Sequence, residues 1–447
     1  MASAAEQLAS NLNFGAFSKA TELKKRLWFT LGALIVYRLG TYIPLPGIDP
    51  VILQDIFNRQ AGGILGMFNM FAGGALGRMT IFALNIMPYI SAAIIMQLMT
   101  AVSPTLNQLK KEGEQGRKKI NQYTRYGTVL IAAMQAYGIS VGLEGMTGSQ
   151  GISAVIDPGM FFRMTAVITL VGGTIFLMWL GEQVTARGVG NGISLIIFAG
   201  IVAELPRALA ATFELGRTGS LPSWLIAALM VGAVAVIAGI VFVERAQRRI
   251  IIQYPKRQMG NKMFGGESSH LPLKLNTSGV IPLIFASSIL LMPITLAQFS
   301  AAGGPEWLTT VTALLGRGQP TYLLIYAGLI AFFAFFYTAV VFNPQETADN
   351  LKKYGGFVPG IRPGKNTADY LDYVLTRLTV VGSIYLVAVA ILPELLIARF
   401  SVPFFFGGTS LLIVVTVTMD TVAQVQSHLL AHQYEGLIKK SRLRGRR

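Results

Sequence analysis

The sequence predicts an all-α polytopic membrane protein of ten spans arranged as two inverted halves of five, and three observations carry that prediction. Only 13% of the 447 residues are charged while 53% are hydrophobic, whereas an ordinary globular domain carries roughly a quarter of its residues as charge. Apolar windows recur along the whole chain, most of them near the length of about 20 residues that crosses about 30 Å of hydrocarbon. Basic residues are segregated: 29 of the 37 Lys and Arg fall in alternate connections and at both ends, seven in the remaining connections, and Arg38 inside the first span. Connections rich in Lys and Arg stay inside, so both termini are expected to be cytoplasmic.

In chain order the windows run from Leu27 to Ile43, Met79 to Val102, Tyr126 to Val141, Phe161 to Leu180, Ile193 to Leu205, Trp224 to Val243, Val280 to Phe299, Tyr322 to Phe342, Val374 to Leu392 and Phe404 to Val425. Backbone donors and acceptors cannot stay unpaired in lipid, so each is expected to be a helix. The fifth is the shortest. The first carries no A-x-A-like cleavage site and is expected to be retained. Five windows lie in residues 1–205 and five in 224–426, on either side of an external hinge loop at 206–223, and a basic cytoplasmic tail follows at 427–447. Because five is odd, the second half enters from the opposite face, the requirement for an inverted repeat with a pathway between its halves.

Before the second span, Gly62 to Gly77 is apolar and glycine-rich but too short to cross. Irregular backbone at membrane depth survives only against protein or a cavity, so a re-entrant piece in an outward-facing cavity is expected. Isoleucines recur at helical spacing nearby, Ile86 with Ile90 and Ile193 with Ile197, each pair on one face. Pro88 and the pair Gly190 and Gly192 suggest kinks at those places.

Catalytic and cofactor motifs fail on inspection. There is no Cys, which removes disulfides, thiolate metal sites and thiol catalysis. His428 and His432 have zinc-protease spacing, but Leu429 stands where the general-base Glu belongs. The stretch from Gly360 to Lys365 is one residue short of a phosphate loop and has Asn366 in place of the magnesium-binding hydroxyl. Gly188, Gly190 and Gly192 lie between spans, where no dinucleotide-binding βαβ unit forms. Arg38, about 7 Å from its helix end, is expected to snorkel to the interface, and Asp420 reads as a structural or interfacial carboxylate. The chain is therefore expected to be no enzyme, with no cofactor and no metal.

Several stretches taken together resemble the SecY family, the pore subunits of bacterial protein-translocation channels. They are Phe68-Asn-Met-Phe-Ala-Gly-Gly-Ala-Leu, Met87-Pro-Tyr-Ile-Ser, Gln122-Tyr-Thr-Arg-Tyr-Gly, Met178-Trp-Leu-Gly-Glu-Gln, Gly188-Val-Gly-Asn-Gly-Ile, Phe342-Asn-Pro-Gln-Glu-Thr, Phe357-Val-Pro-Gly-Ile-Arg-Pro-Gly and Phe406-Gly-Gly-Thr-Ser-Leu-Leu-Ile. The resemblance implies a central hourglass pore constricted by Ile86, Ile90, Ile193, Ile197, Ile284 and Ile413. It implies a plug helix at about 64–77 that includes Phe68, Asn69, Met70, Phe71, Gly73 and Gly74. A lateral gate with Ser91, Gln97 and Asn276 would release transmembrane segments into lipid. Lys256, Arg257, Lys262 and Arg362 would meet cytoplasmic partners. Those implied partners are the small subunits SecE and SecG, the SecA motor ATPase, the ribosome, signal peptides and nascent chains, and anionic lipids, in a bacterial inner membrane. A ring of branched apolar side chains makes physical sense there, since it dewets a narrow neck and blocks ions. The alternative is a secondary transporter for a small solute, which shares inverted repeats but needs a midplane binding site.

Overall fold

A computed structural model describes residues 20–60, 69, 72–145, 153–219, 222–254, 257–259, 262–264, 268–299, 314, 319–400 and 408–444. Its helices are α1 (Thr21–Gly40), α2 (Pro50–Gln60), α3 (Met87–Val102), α4 (Pro104–Lys111), α5 (Glu114–Gly145), α6 (Met160–Arg187), α7 (Gly192–Arg217), α8 (Ser223–Arg245), α9 (Ile281–Phe299), α10 (Pro320–Val341), α11 (Pro344–Lys353), α12 (Lys365–Phe400) and α13 (Gly408–Arg444). Each of the ten apolar windows falls on one of them. Among the described residues, seven helices are long and apolar enough to cross a membrane unaided, and α3 with α4, bent by 99°, makes an eighth candidate. In α1 the obstacle is charge, since Glu22, Lys24, Lys25 and Arg26 occupy its first two turns.

The perimeter is apolar, as a bilayer solvent requires. Trp28, Leu39, Phe161, Trp224, Val231, Phe242 and Leu324 are all highly exposed, a surface that would drive aggregation in water. Helix α8 shows this most clearly, burying only Ile240 and Glu244 along its described length. Inside, α6 packs on α1, α5 and α7, while α10 packs on α9 and α12. The two halves meet along two seams: α9 lies against α3 and α5, and α13 lies against α1 and α7.

Four expectations change. Pro88 does not kink a helix. It occupies the first turn of α3, where its missing N–H costs nothing, and Ile86 is the N-cap residue. The loop expected at 206–223 is helical as far as Arg217, with Pro206 inside α7; the Ala- and Leu-rich residues 208–211 sustain the helix past one lost hydrogen bond. The tail from 427 is no separate segment, because α13 continues unbroken to Arg444. Within the expected plug helix, residues 72–77 form consecutive turns, part of a run to Met79, instead of regular helix, with Gly73 and Gly74 at φ of +62° and +80°. Only glycine adopts that backbone readily.

The all-α expectation also misses a β element. Strand β1 (Gln247–Gln253) pairs antiparallel with β4 (Ser268–Lys274), placing Ile250 opposite Leu271, and between them β2 (Arg257–Met259) pairs with β3 (Lys262–Phe264). Ile250 and Leu273 pack into a second small core with Val358, Leu371, Val374 and Leu375. A bridge joins Gln253 to Phe357, with N–H to O distances of 2.9 and 3.0 Å in the two directions. Two connections 104 residues apart therefore form one platform.

Candidate functional site

The candidate site draws on helices from both seams. The turn before α3 brings in Ile86, the first turn of α3 Ile90, the start of α7 Ile193 and Ile197, the start of α9 Ile284, and the start of α13 Ile413. Asn191 caps α7 by accepting from the Ile193 N–H at 3.1 Å, which fixes where that helix begins. All six isoleucines belong to one apolar core. Ile86, Ile90, Ile197 and Ile413 are buried there, and Ile193 and Ile284 are half-buried at its edge. Ala72, Ala75 and Leu76 join the same core. A cavity of ≈ 520 Å³ has Ile284, Ile413, Ser194 and Asp420 in its wall. Among the described residues no three His, Asp or Glu side chains converge as a metal-binding set.

The glycine-rich turn is gripped from the side. Arg38 Nη1 donates to the Gly73 carbonyl at 2.7 Å and Arg78 Nη2 donates to the same oxygen at 3.0 Å. Both guanidinium groups lie over the Tyr42 ring, at 5.1 and 4.2 Å from its centroid, and Arg38 Nη2 donates to Tyr42 Oη at 3.1 Å. Asn69 closes the turn by accepting from the Gly77 N–H at 2.6 Å. A Cβ on Gly73 would meet the Gly200 Cα of α7 at 3.0 Å, and one on Gly74 would meet Glu204 Oε1 at 2.5 Å. Arg38, expected to snorkel, divides its guanidinium between the exposed Tyr42 hydroxyl and the turn. Phe68, Met70 and Phe71 lie outside the described residues.

Comparison with known proteins now bears on this geometry. The SecY family model matches residues 80–422, from the turn before α3 into α13. The chain belongs to the SecY family. It is 58% identical over 425 residues to the protein translocase subunit SecY of Escherichia coli K12, covering 95% of this chain and 96% of that one. It is 56% identical over 434 residues to that of Vibrio cholerae, covering 96% and 97%. Two solved structures share the fold: a protein-conducting channel at 17% identity and TM-score 0.63, covering 92% of this chain and 93% of that one, and Sec61 in a canine ribosome-channel complex at 16% and 0.60, with the same coverage.

Some stretches that resemble SecY proteins are structural in this member of the family. Arg125 and Glu182 pair at 2.6 Å between α5 and α6, and Glu144 with Arg163 pairs at 2.6 Å toward the other end of the same helices. The remaining residues expected to act sit as follows. Ser91 is half-buried on α3, and Gln97 on the same helix keeps a buried Oε1 without a hydrogen-bond partner among the described residues. Asn276 is buried just before α9, its Nδ2 donating to Glu244 Oε1 at 2.7 Å and to the Gly279 carbonyl at 3.1 Å, while its Oδ1 accepts from Ser278 Oγ at 3.0 Å. Arg362 is exposed on the turn before α12, and its carbonyl accepts from Thr367 Oγ1 at 2.9 Å. Arg257 and Lys262 lie in the paired strands β2 and β3, and Lys256 falls outside the described residues. Sequence reasoning missed Arg38, Arg78, Tyr42 and Glu244 as site residues. A cation placed five residues from the end of its apolar window, followed by a second one at 78, was the only signal for the first pair.

Proposed function

We propose that this chain forms a channel through which unfolded secretory polypeptides cross the bacterial plasma membrane, and from which transmembrane segments leave sideways into lipid. The observation that carries the reading is the isoleucine core, with apolar turn residues joined to it and a polar-lined cavity beside it. Six branched side chains at one neck exclude water, yet no directional bond resists a polypeptide that parts them. In this reading ten helices span in two inverted halves, both termini are cytoplasmic, and the turn around Gly73 and Gly74 is part of a plug. The α3, α5 and α9 seam is the lateral gate. A buried Gln97 oxygen with no donor among the described residues costs about 1–3 kcal/mol in a closed seam, which an incoming helix would relieve. SecE and SecG would cover lipid-facing helices, and the platform of β1, β4 and α12 would dock SecA or the ribosome. Two solved relatives are ribosome-bound Sec61 and Ssh1 channels.

The test uses proteoliposomes holding the chain with its two small subunits and the motor. Wild type should import an unfolded precursor in an ATP-dependent way. Arg362→Glu should place like charge against an acidic partner face, lose about 2–5 kcal/mol of docking if the contact is central, and cut import sharply while inserting normally. Solute flux without precursor import would establish the transporter reading instead.

A further inference from the structure

We propose that the cavity beside the isoleucine core is a cation-accepting site for the basic residues that flank an apolar segment of the transported polypeptide, with the Asp420 carboxylate as its acceptor. The inference rests on the translocation reading and names what that pathway recognises. The chain carries a net charge of +16, yet of the fifteen residues lining this cavity Asp420 is the sole charged one. Ile413, Val417, Asp420, Gln424 and Ser427 all line the cavity and recur every three or four residues along α13, so one helix face presents them in a row. Asp420 is exposed and makes no hydrogen bond or ion pair with any described residue. A second observation points the same way: Thr416, which lines the cavity one turn earlier, is 7% exposed and its Oγ1 has no hydrogen-bond partner among the described residues.

Asp420 is the only carboxylate on the cavity wall, and the Glu244 carboxylate lies near enough to feel its charge; a concave, otherwise uncharged wall focuses that negative field into the cavity. Asp420 stands seven residues beyond Ile413, about 10 Å along the helix at 1.5 Å per residue. A Lys or Arg a few positions before an apolar segment lodged at the neck reaches that distance. Export leaders have this composition, a basic stretch followed by an apolar one, and so do segments oriented by their inner-side cations.

The experiment measures binding of fluorescent 25-residue peptides to the full chain in phosphatidylcholine nanodiscs, whose neutral headgroups remove lipid attraction. The peptides share one apolar core preceded by zero, two or four Lys, or by two Glu. Wild-type affinity should rise about five- to tenfold from zero to four Lys. Asp420→Asn should abolish the rise while leaving the uncharged peptide unaffected, and Asp420→Lys should reverse it so that the Glu peptide binds best. An unchanged rise in Asp420→Asn, or an equal loss for all peptides, would overturn the proposal while leaving the translocation reading intact. If no peptide bound wild type at any charge, the translocation reading itself would fall and this inference with it.

Discussion

The isoleucine core and the glycine-rich turn lie in one continuous apolar core but are held by different chemistry. The six isoleucines are held by packing alone, worth about 1.5–3 kcal/mol for each of the four that are fully buried, and such contacts slide without a preferred direction. The turn packs through Ala72, Ala75 and Leu76 but is also gripped by charge at the Gly73 oxygen, which takes a donor from Arg38 and another from Arg78. Hydrogen bonds to charged groups contribute about 1.5–3 kcal/mol each and lapse abruptly when geometry is lost. A barrier of the first kind yields gradually to whatever pushes it apart. The second kind stays shut until a threshold and then releases.

The largest expected effect breaks the first barrier. Ile197→Asp buries an unpaired carboxylate in a dry neck, a cost of about 4 kcal/mol or more that hydration relieves. Resting conductance in planar bilayers should rise about tenfold or more, and an unchanged baseline would show that the isoleucines do not seal. Next comes the grip: Arg38→Met keeps an unbranched apolar stem but removes the guanidinium, leaving Arg78 as the only side-chain donor to the Gly73 oxygen among the described residues. Because the chain has no native Cys, Ala72→Cys provides a clean probe of the buried turn. A membrane-impermeant thiol reagent added outside should label it about tenfold faster in the Arg38→Met background, for a loss near 1.5 kcal/mol. Conductance should change far less than in Ile197→Asp, and equal changes in both readouts would erase the distinction. The smallest effect sharpens it. Tyr42→Phe retains the ring under both guanidinium groups and removes only the 3.1 Å bond to Arg38, so labelling should rise about threefold.

Membrane class, helix positions and the SecY likeness were legible because they rest on composition, local periodicity and ordered motifs. The i, i+4 pairs Ile86 with Ile90 and Ile193 with Ile197 were visible for the same reason. That Ile284 and Ile413 join them follows from helices meeting across the whole chain, and only the resemblance pointed there. Strand β1 was illegible as a strand because Ile250, Ile251 and Ile252 form a run too short to show alternation, between Arg248, Arg249 and Gln253. The proline in α7 was read as a break because a local rule weighs one missing donor more heavily than the helix formers after it. The grip of Arg38 on the turn was illegible because it depends on the return of Gly73, 35 residues later, which no local distance reveals.

The bridge between Gln253 and Phe357 has a mechanical consequence. Strand β4 ends at Lys274, seven residues before α9 begins, and the other edge of the same platform runs directly into α12. Because one small apolar core fastens both connections, a body seated on the platform has a single lever arm, and any torque it applies reaches both helices together. Asn276, bonded to Glu244 at the end of α8, lies between that platform and α9. Bodies of unrelated shape seated on the platform would therefore move the same two helices.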